Sequence, residues 1–175
     1  MFTAENLIRE ARRQKGIATG SIPAICIFDP DGDLVDYLRH VGRANRHAAW
    51  ACYHTELDSF EYQGIIFGIV GRVVGASFAV LVAEELIASG CQCIISVTSA
   101  GQITPLGQTP YFVLIEQALR DEGTSYHYIP PSHYSVLQPK LRDLIATNWD
   151  ATDIALYRGA SWTTDASYRE TEAAN

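Results

Sequence analysis

Basic residues and cysteines are both scarce in this sequence. Lysine and arginine together number 13 against 20 aspartates and glutamates, which gives the 175-residue chain a formal net charge of −7. Proteins that read duplex nucleic acid normally carry a basic patch. The basic residues that cluster here occupy a short N-terminal stretch: Arg9, Arg12, Arg13 and Lys15. The charge balance therefore disfavours nucleic acid as a partner.

The four cysteines follow an N-terminal segment that does not look secretory. The first 20 residues are polar and lack the apolar stretch of a signal peptide, so we expect reduced thiols and a cytoplasmic location. Cys91 and Cys93 are two residues apart on a strand-like run, which predicts that both face the core as small apolar side chains. A zinc site would need a second close pair of ligands, and the sequence lacks one.

One apolar run, residues 65–83, has the length of a membrane span. Its single charge, Arg72, would lie near the middle of the bilayer at a cost of about 2.5–3.5 kcal/mol. Three glycines also interrupt the run: Gly68, Gly71 and Gly75. A strand, a glycine turn and a buried helix explain the same residues, so we predict no membrane span.

Apolar residues make up 47% of the chain and charged residues 19%, which is enough for a real core. We expect one domain over residues 1–175, with residues 1–20 as an N-terminal helix and arm. Apolar periodicity and turn signals predict helices at 3–15, 76–89 and 139–149. They predict strands at 22–28, 48–57, 65–70, 91–97, 111–116, 153–157 and 160–163, a hairpin between the second and third of these, and mostly loop over 118–134.

The centre of the chain defines the predicted fold class. A strand, a glycine turn, helix 76–89 and strand 91–97 form a βαβ unit, which implies parallel strands. We therefore predict an α/β fold with three α/β/α layers around a mixed, largely parallel central sheet. The helix is apolar almost all round, with Glu84 and Glu85 as its charges, so it needs cover on two sides. A subunit interface is one source of the second cover.

A loop of small polar residues, 98–102, follows the second strand of this unit. Ligands of open α/β sheets bind just beyond the carboxyl ends of the strands. Small hydroxyl residues and a glycine at that position let backbone N–H groups approach an anion or a sugar. The loop is therefore a candidate binding site.

Three segments share an order and spacing with a known family. Residues 68–103 combine a glycine turn, a long helix, a strand and the small-residue loop; residues 118–132 read ALRDEGTSYHYIPPS, and residues 161–171 read SWTTDASYRET. Together they resemble the nucleoside phosphorylase superfamily, which includes uridine phosphorylase, hexameric-type purine nucleoside phosphorylase and related nucleosidases. The resemblance covers nearly the whole chain from Ile22 and implies a phosphorylase-like α/β fold.

The resemblance implies cleavage of the N-glycosidic bond of a nucleoside. Phosphate, or water in the nucleosidases, attacks the anomeric carbon of the sugar while the base leaves. The protein must therefore hold the anion, orient the sugar and stabilise the departing base. The resemblance also implies a small-molecule nucleoside as ligand and no cofactor or metal, with inorganic phosphate as co-substrate of a phosphorylase. It assigns no catalytic residue.

The loop after the second strand holds the implied phosphate- and ribose-binding residues. Ser99 matches the serine or threonine whose hydroxyl and amide contact phosphate in the family, with Thr98 beside it, and Gly101 matches the loop glycine. On the base side, Ser167 takes the position of an aromatic that often stacks on the base. Tyr168 is then a stacking or packing residue, and Arg169 a partner for a base carbonyl or an anion.

Two charged phosphate ligands of the family are missing from this sequence. Ser96 stands where uridine and bacterial purine phosphorylases place an arginine. The N-terminal phosphate turn of the family reads Gly-Asp-Pro-x-Arg, whereas residues 28–32 read Phe-Asp-Pro-Asp-Gly. An acidic turn would repel an anion. The arginines that could substitute are Arg39, Arg43, Arg46 and Arg72.

The sequence also stops short of the family pattern. It ends soon after the third motif, before a strand with a Met-Glu pair that holds the ribose hydroxyls in the family. We therefore expect either a C-terminally truncated member or a remodelled one that completes itself through oligomerisation, and we expect the chain to self-associate. Three functions stay open: a phosphorylase, a phosphate-independent nucleosidase, and a catalytically incomplete, oligomeric module that binds a nucleoside.

Rival chemistries fit the sequence less well. The central glycines are spaced G-x-x-G-x-x-x-G rather than G-x-G-x-x-G, which disfavours a dinucleotide site. No G-x-S-x-G elbow presents a serine nucleophile. His127 and His133 lack an acidic partner at metal-ligand spacing. We interpret His54 as a hydrogen-bonded structural histidine on strand 48–57, and Asp165 as a residue that fixes its turn.

Overall fold

A computed structural model describes residues 2–149 and 154–169 of the protein. Its contacts divide the chain into two compact units, Met1–Ala100 and Gly101–Asn175. Among the described residues, the first unit holds three α-helices and a five-stranded sheet, and the second holds one α-helix, two 3-10 turns and a three-stranded sheet. The α/β class is confirmed, with the strands in two hydrogen-bonded sheets. The single domain over 1–175 stays a prediction.

The first helix, α1 (Ala4–Lys15), has the predicted bounds because its ends are capped. The Thr3 hydroxyl accepts a hydrogen bond from the Asn6 amide at 3.3 Å, and Gly16 ends the helix in a left-handed conformation with φ 65°. One face of the helix buries Ile8 and Ala11, which is the amphipathic packing that the sequence predicts.

The five-stranded sheet is mixed, with parallel pairing at its centre. Its strands are β1 (Ile25–Asp29), β2 (Ala44–Arg46), β3 (Asp58–Tyr62), β4 (Ile65–Gly71) and β5 (Cys93–Ser96), in the order β2-β3-β4-β1-β5. β1 lies between β4 and β5 and is parallel to both, whereas β2, β3 and β4 are antiparallel neighbours. The predicted βαβ unit is therefore confirmed, with β1 inserted between its two strands.

Helices cover both faces of this sheet. α3 (Ala76–Ala88) packs its Val82 and Leu86 onto the face that carries Val70, and α1 packs against α3. α2 (Asp33–His40) covers the opposite face, where Ile69 lies. Successive strand residues point to opposite faces, so Ile69 and Val70 each fill a different core. The three layers α/β/α are thus present in this unit.

Two sequence-based predictions for this unit are wrong. Residues 48–57 form a loop, not a strand; the segment is rich in apolar residues because Trp50 and Cys52 pack into the core from an irregular backbone. The partner of β4 in the predicted hairpin is β3 instead. Cys91 and Cys93 also do not share a face: Cys91 precedes β5 and is buried, whereas Cys93 begins β5 and is exposed.

The second unit is built on two long parallel strands. β6 (Tyr111–Asp121) pairs in parallel with β8 (Ala155–Thr164) and antiparallel with β7 (Tyr134–Val136), and α4 (Pro139–Asn148) begins with proline as predicted. β6 continues into the segment predicted as loop, and β8 is one strand where two were predicted. Residue 153, the predicted start of the first of those two, lies outside the described residues.

The helices in the described ranges do not support membrane insertion. None of them is both long enough and apolar enough to cross a bilayer. The longest, α3, has 13 residues.

Candidate functional site

The carboxyl ends of β1 and β5 lie side by side at one edge of the five-stranded sheet. Phe28 pairs with Ser96 in parallel register, and the Val97 amide donates to the Phe28 carbonyl at 2.9 Å. Two segments leave the sheet from these adjacent ends: the β1 turn, residues 29–32, and the β5 loop, residues 97–100. Since ligands of open α/β sheets bind at this edge, the two segments form the candidate site.

Asp31 of the β1 turn binds the β5 loop directly. The Ser99 amide donates to Asp31 Oδ2 at 2.6 Å, and the Thr98 hydroxyl oxygen lies 3.4 Å from both Asp31 carboxylate oxygens. The amide that the family resemblance assigns to phosphate is therefore bonded to a carboxylate of the chain itself. Two like unit charges about 4 Å apart at a protein surface repel by about 4 kcal/mol, so a bound anion here would oppose Asp31.

Asp29, the first residue of the turn, accepts hydrogen bonds from backbone amides at the start of α2. It is buried, with an exposed fraction of 4%, and its carboxylate accepts from the amides of Gly32 at 3.2 Å and Val35 at 2.9 Å. Gly32 has φ 86°, a left-handed conformation that suits glycine. Asp29 thus has a structural role, since it satisfies N–H groups at the start of the helix.

Of the four arginines that could replace the missing phosphate ligands, Arg72 contacts the β1 turn. Its amide donates to the Asp29 carbonyl at 2.9 Å, and its own φ is 62°. A Cβ on Gly32 would lie 2.9 Å from Arg72 Cζ, so the guanidinium lies over the turn. It is bonded to Asp36 Oδ2 at 2.5 Å, and this hydrogen bond lowers the pKa of the Asp36 carboxyl. The cation is therefore already paired.

The other three arginines hold different parts of the first unit. Arg39 binds the buried carboxylate of Asp58 through two nitrogens and also contacts Glu56 at 3.1 Å. Arg46 pairs with the same Glu56, and the pKa of Glu56 is lowered by that hydrogen bond. Arg43 donates to a backbone carbonyl at 3.4 Å. These contacts give the three side chains roles in joining β2, β3 and α2.

A small cavity of about 190 Å³ adjoins the turn. Gly71 and Arg72 line it, together with Val35, Arg39, His54, Thr55, Glu56 and Phe78. Ligand pockets usually measure about 300–1,000 Å³, so this volume can take a small group but not a whole nucleoside. His54 is exposed on the loop before β3 and not on a strand, so our interpretation of it as a structural strand histidine is wrong.

A larger groove of about 670 Å³ lies away from the sheet edge, along α1. Its lining includes Arg9, Arg12 and Arg13. Arg13 is paired with Glu10, and Arg12 donates to the Gly20 carbonyl at 2.8 Å. Arg12 therefore fastens the N-terminal arm, the Arg13–Glu10 pair stays within α1, and the groove is remote from the candidate site.

Ser96 and Gly101 are the two other positions at this strand end that the family resemblance singles out. Ser96, at the position where the family places an arginine, ends β5 and is exposed. Gly101 begins the second unit, and a Cβ placed on it would meet no atom within 4 Å. The fold of this chain therefore does not by itself require glycine at 101.

The proposed base-binding residues form a short helical turn in the second unit. Ser167–Arg169 is a 3-10 turn after β8, and all three residues are exposed, with the Tyr168 side chain fully in solvent. Just before it, Asp165 Oδ2 accepts from the Gly123 amide at 2.8 Å. This bond ties the end of β8 to the loop after β6, which supports the structural role predicted for Asp165.

Arg120 is a residue whose importance the sequence did not reveal. Its exposed fraction is 6%, and its guanidinium donates to the Ser125 hydroxyl at 2.8 Å, the Pro130 carbonyl at 2.6 Å and the Ser132 hydroxyl at 2.9 Å. It also lies 4.2 Å from the centroid of the Tyr126 ring. Arg120 thus shapes the 125–132 loop.

The described part of the chain contains no cluster of side chains suited to bind a metal ion. No group of three or more histidine, cysteine, aspartate or glutamate side chains converges there. His127 belongs to the 3-10 turn Ser125–His127 in the second unit.

The comparisons with known proteins agree with this architecture. Residues 24–175 match the model of the Phosphorylase superfamily, so the chain belongs to that family. A search of the curated proteins finds no match.

Solved structures share the fold at low sequence identity. A uridine phosphorylase from Vibrio fischeri, complexed with 6-hydroxy-1-naphthoic acid, has a TM-score of 0.70 and 22% identity, over 88% of this chain and 62% of that one. A purine nucleoside phosphorylase from Toxoplasma gondii, in complex with immucillin-H, has a TM-score of 0.65 and 16% identity, over 87% and 61%. The chain therefore spans less than two thirds of the length of these neighbours.

Proposed function

We propose that this protein cleaves the N-glycosidic bond of a nucleoside at the edge where β1 and β5 end. The observation that carries the proposal is the pairing of the β1 turn with the β5 loop, through Asp31 and Ser99, in a member of the Phosphorylase superfamily. Parallel strand ends of this kind are where open α/β sheets bind small ligands.

Phosphate is the first candidate acceptor. The solved neighbours are named uridine and purine nucleoside phosphorylases, which supports a nucleoside substrate and a phosphate acceptor. In this reaction a phosphate oxygen forms a bond to the anomeric carbon, the C–N bond breaks, and its electron pair and a proton end on the base. The family resemblance assigns phosphate and ribose to Ser99, Thr98 and Gly101; for phosphate to bind there, Asp31 would first have to release the Ser99 amide.

The residues that the family resemblance assigns to the base lie on the turn after β8, in the second unit. Tyr168 offers an exposed aromatic face for stacking on a nucleobase, Arg169 a donor for a base carbonyl, and Ser167 a hydroxyl. Hydrogen bonds that strengthen as negative charge builds on the departing base would accelerate its release.

Water is the second candidate acceptor, and one contact favours it. The Asp31 carboxylate already holds the Ser99 amide, and Ser96 provides no cation for an anion. With water, the oxygen bonds to the anomeric carbon, the base leaves with the C–N electron pair, and one water proton ends on the base.

Release of free base from a panel of purine and pyrimidine nucleosides, with and without phosphate, tests the proposal. Tyr168→Ala should lower kcat/KM by about tenfold, since base stacking is worth about 1–3 kcal/mol per base in nucleic-acid sites. Tyr37→Ala removes an exposed tyrosine from α2 and serves as the matched control. Absence of release by folded protein would reject the enzyme and leave a nucleoside-binding module.

A further inference from the structure

We propose that Asp31 selects the acceptor: its carboxylate occupies the donors that would bind phosphate, so the site admits water and excludes the anion. This inference rests on the proposed function for its chemistry. Its binding test, however, does not depend on turnover.

The first argument for this proposal is the geometry of the β5 loop. A backbone amide has one proton to donate, and that of Ser99 is directed at Asp31 Oδ2 at 2.6 Å. The Thr98 hydroxyl lies 3.4 Å from both oxygens of the same carboxylate. The same hydroxyl also lies 3.1 Å from the Ser99 carbonyl oxygen. A phosphate oxygen could reach the Ser99 amide only by displacing Asp31, because the carboxylate already accepts from that amide.

The second argument is the distribution of charges in the β1 turn. Asp29 holds the amides of Gly32 and Val35, so these donors are also engaged by a carboxylate. The guanidinium over the turn, that of Arg72, is bonded to Asp36 at 2.5 Å. The turn therefore presents two carboxylates and a cation that is already neutralised, which is the opposite of an anion-binding arrangement.

Water, a neutral acceptor, is not repelled by the carboxylates and does not need the Ser99 amide that Asp31 occupies. A carboxylate only accepts hydrogen bonds, and water can donate to it without displacing it from Ser99. Asp31 can then hold a water by one O–H while the water oxygen faces the anomeric carbon. Asp31 is thus a specificity-determining residue that favours hydrolysis over phosphorolysis.

Titration calorimetry with inorganic phosphate at constant ionic strength tests this directly. Asp31→Ala should bind phosphate at least about tenfold more tightly than the wild type, a difference equivalent to about 1.4 kcal/mol. Asp33→Ala removes the same charge from an exposed position two residues away and should behave as wild type. If Asp33→Ala gains as much as Asp31→Ala, general repulsion explains the gain and the proposal is rejected.

A second measurement covers the case in which Asp31→Ala does not fold. In the wild type, the amide resonance of Ser99 should stay unmoved when phosphate is added, because the amide is held by Asp31. A saturable shift of that resonance would overturn the proposal. Loss of base release in all proteins would reject the proposed function alone, whereas phosphate-stimulated release by wild type would reject the acceptor assignment and keep the function.

Discussion

A Cβ placed on Gly68 would lie 2.7 Å from Cys26 Sγ and 3.0 Å from Leu57 Cδ1. Both neighbours are fully buried, so neither can move without disturbing the core between β1 and β4. We expect Gly68→Ala to reduce the free energy of unfolding by about 1–3 kcal/mol, which is typical of overpacking. Urea denaturation followed by Trp50 fluorescence measures the change.

Gly101→Ala is the matched control for that substitution. The site is open, so we expect a change within about 0.5 kcal/mol. Equal effects of the two substitutions would contradict the packing argument and indicate a general cost of losing glycine.

At the level of single residues, the sequence predicted positions better than contacts. Thr98 and Ser99 were identified as a loop at a strand end, and the acidic character of the β1 turn was evident. The bond between Asp31 and Ser99 joins residues 68 apart, and it depends on β5 pairing with β1. No local pattern encodes that register. The placement of Arg72 over Gly32 was hidden for the same reason.

Among the structural elements, the loop after β6 has a stability that should depend on pH. The Glu122 carboxylate accepts from the amides of Thr124 at 2.7 Å and Ser125 at 2.9 Å. Burial alone would raise the pKa of Glu122, but the hydrogen bonds from Ser125 and Thr124 outweigh it and lower the pKa. The stabilisation is therefore present above the unfolded pKa of about 4.3 and lost as the pH falls through the folded value.

Glu122→Gln tests this dependence. We expect a cost of about 1–2 kcal/mol at pH 7 that shrinks below about pH 4, measured as urea midpoints from Trp162 fluorescence. Asp143→Asn changes an exposed carboxylate paired with Arg142 and should cost less than about 1 kcal/mol. A cost for Glu122→Gln that stays constant with pH would argue against a charge-dependent contact.

Elements that have their own local signals were predicted best. α1 begins and ends at capping residues, α4 begins at a proline, and β4 and α3 are separated by glycines. The strand prediction for 48–57 failed because Trp50, Ala51 and Cys52 form an apolar run that is buried like a strand, yet they anchor a loop. β6 was underestimated at its C-terminal end: the turn-forming residues at 123–125 and 130–131 predicted a loop over 118–134, yet the strand continues to Asp121 to pair with β8.

The whole molecule leaves apolar surface in contact with solvent. Ile87 on α3 is 61% exposed, and the second unit, as far as the structure describes it, has Arg120 as its one buried residue. Since association would remove such exposed apolar side chains from water, we expect the protein to self-associate. The homo-oligomer and the cytoplasmic location both stay predictions.

Light scattering coupled to size-exclusion chromatography measures the association. Ile87→Lys should shift the protein toward smaller species, because it places a charge in the apolar surface of α3. Gln92→Lys adds the same charge at an exposed polar position just beyond that helix and should leave the mass unchanged. A soluble monomer for the wild type would contradict the expectation.

The unequal exposure of the cysteines has a practical consequence for such experiments. Cys26, Cys52 and Cys91 are buried, whereas Cys93 is exposed at the start of β5. A thiol-reactive dye should therefore attach to one position of the native chain without prior mutagenesis, and to all four only after unfolding. The labelling rate at Cys93 then becomes a footprint of this side of the sheet: a partner subunit that covers β5 would protect the thiol, and dilution would restore its reactivity.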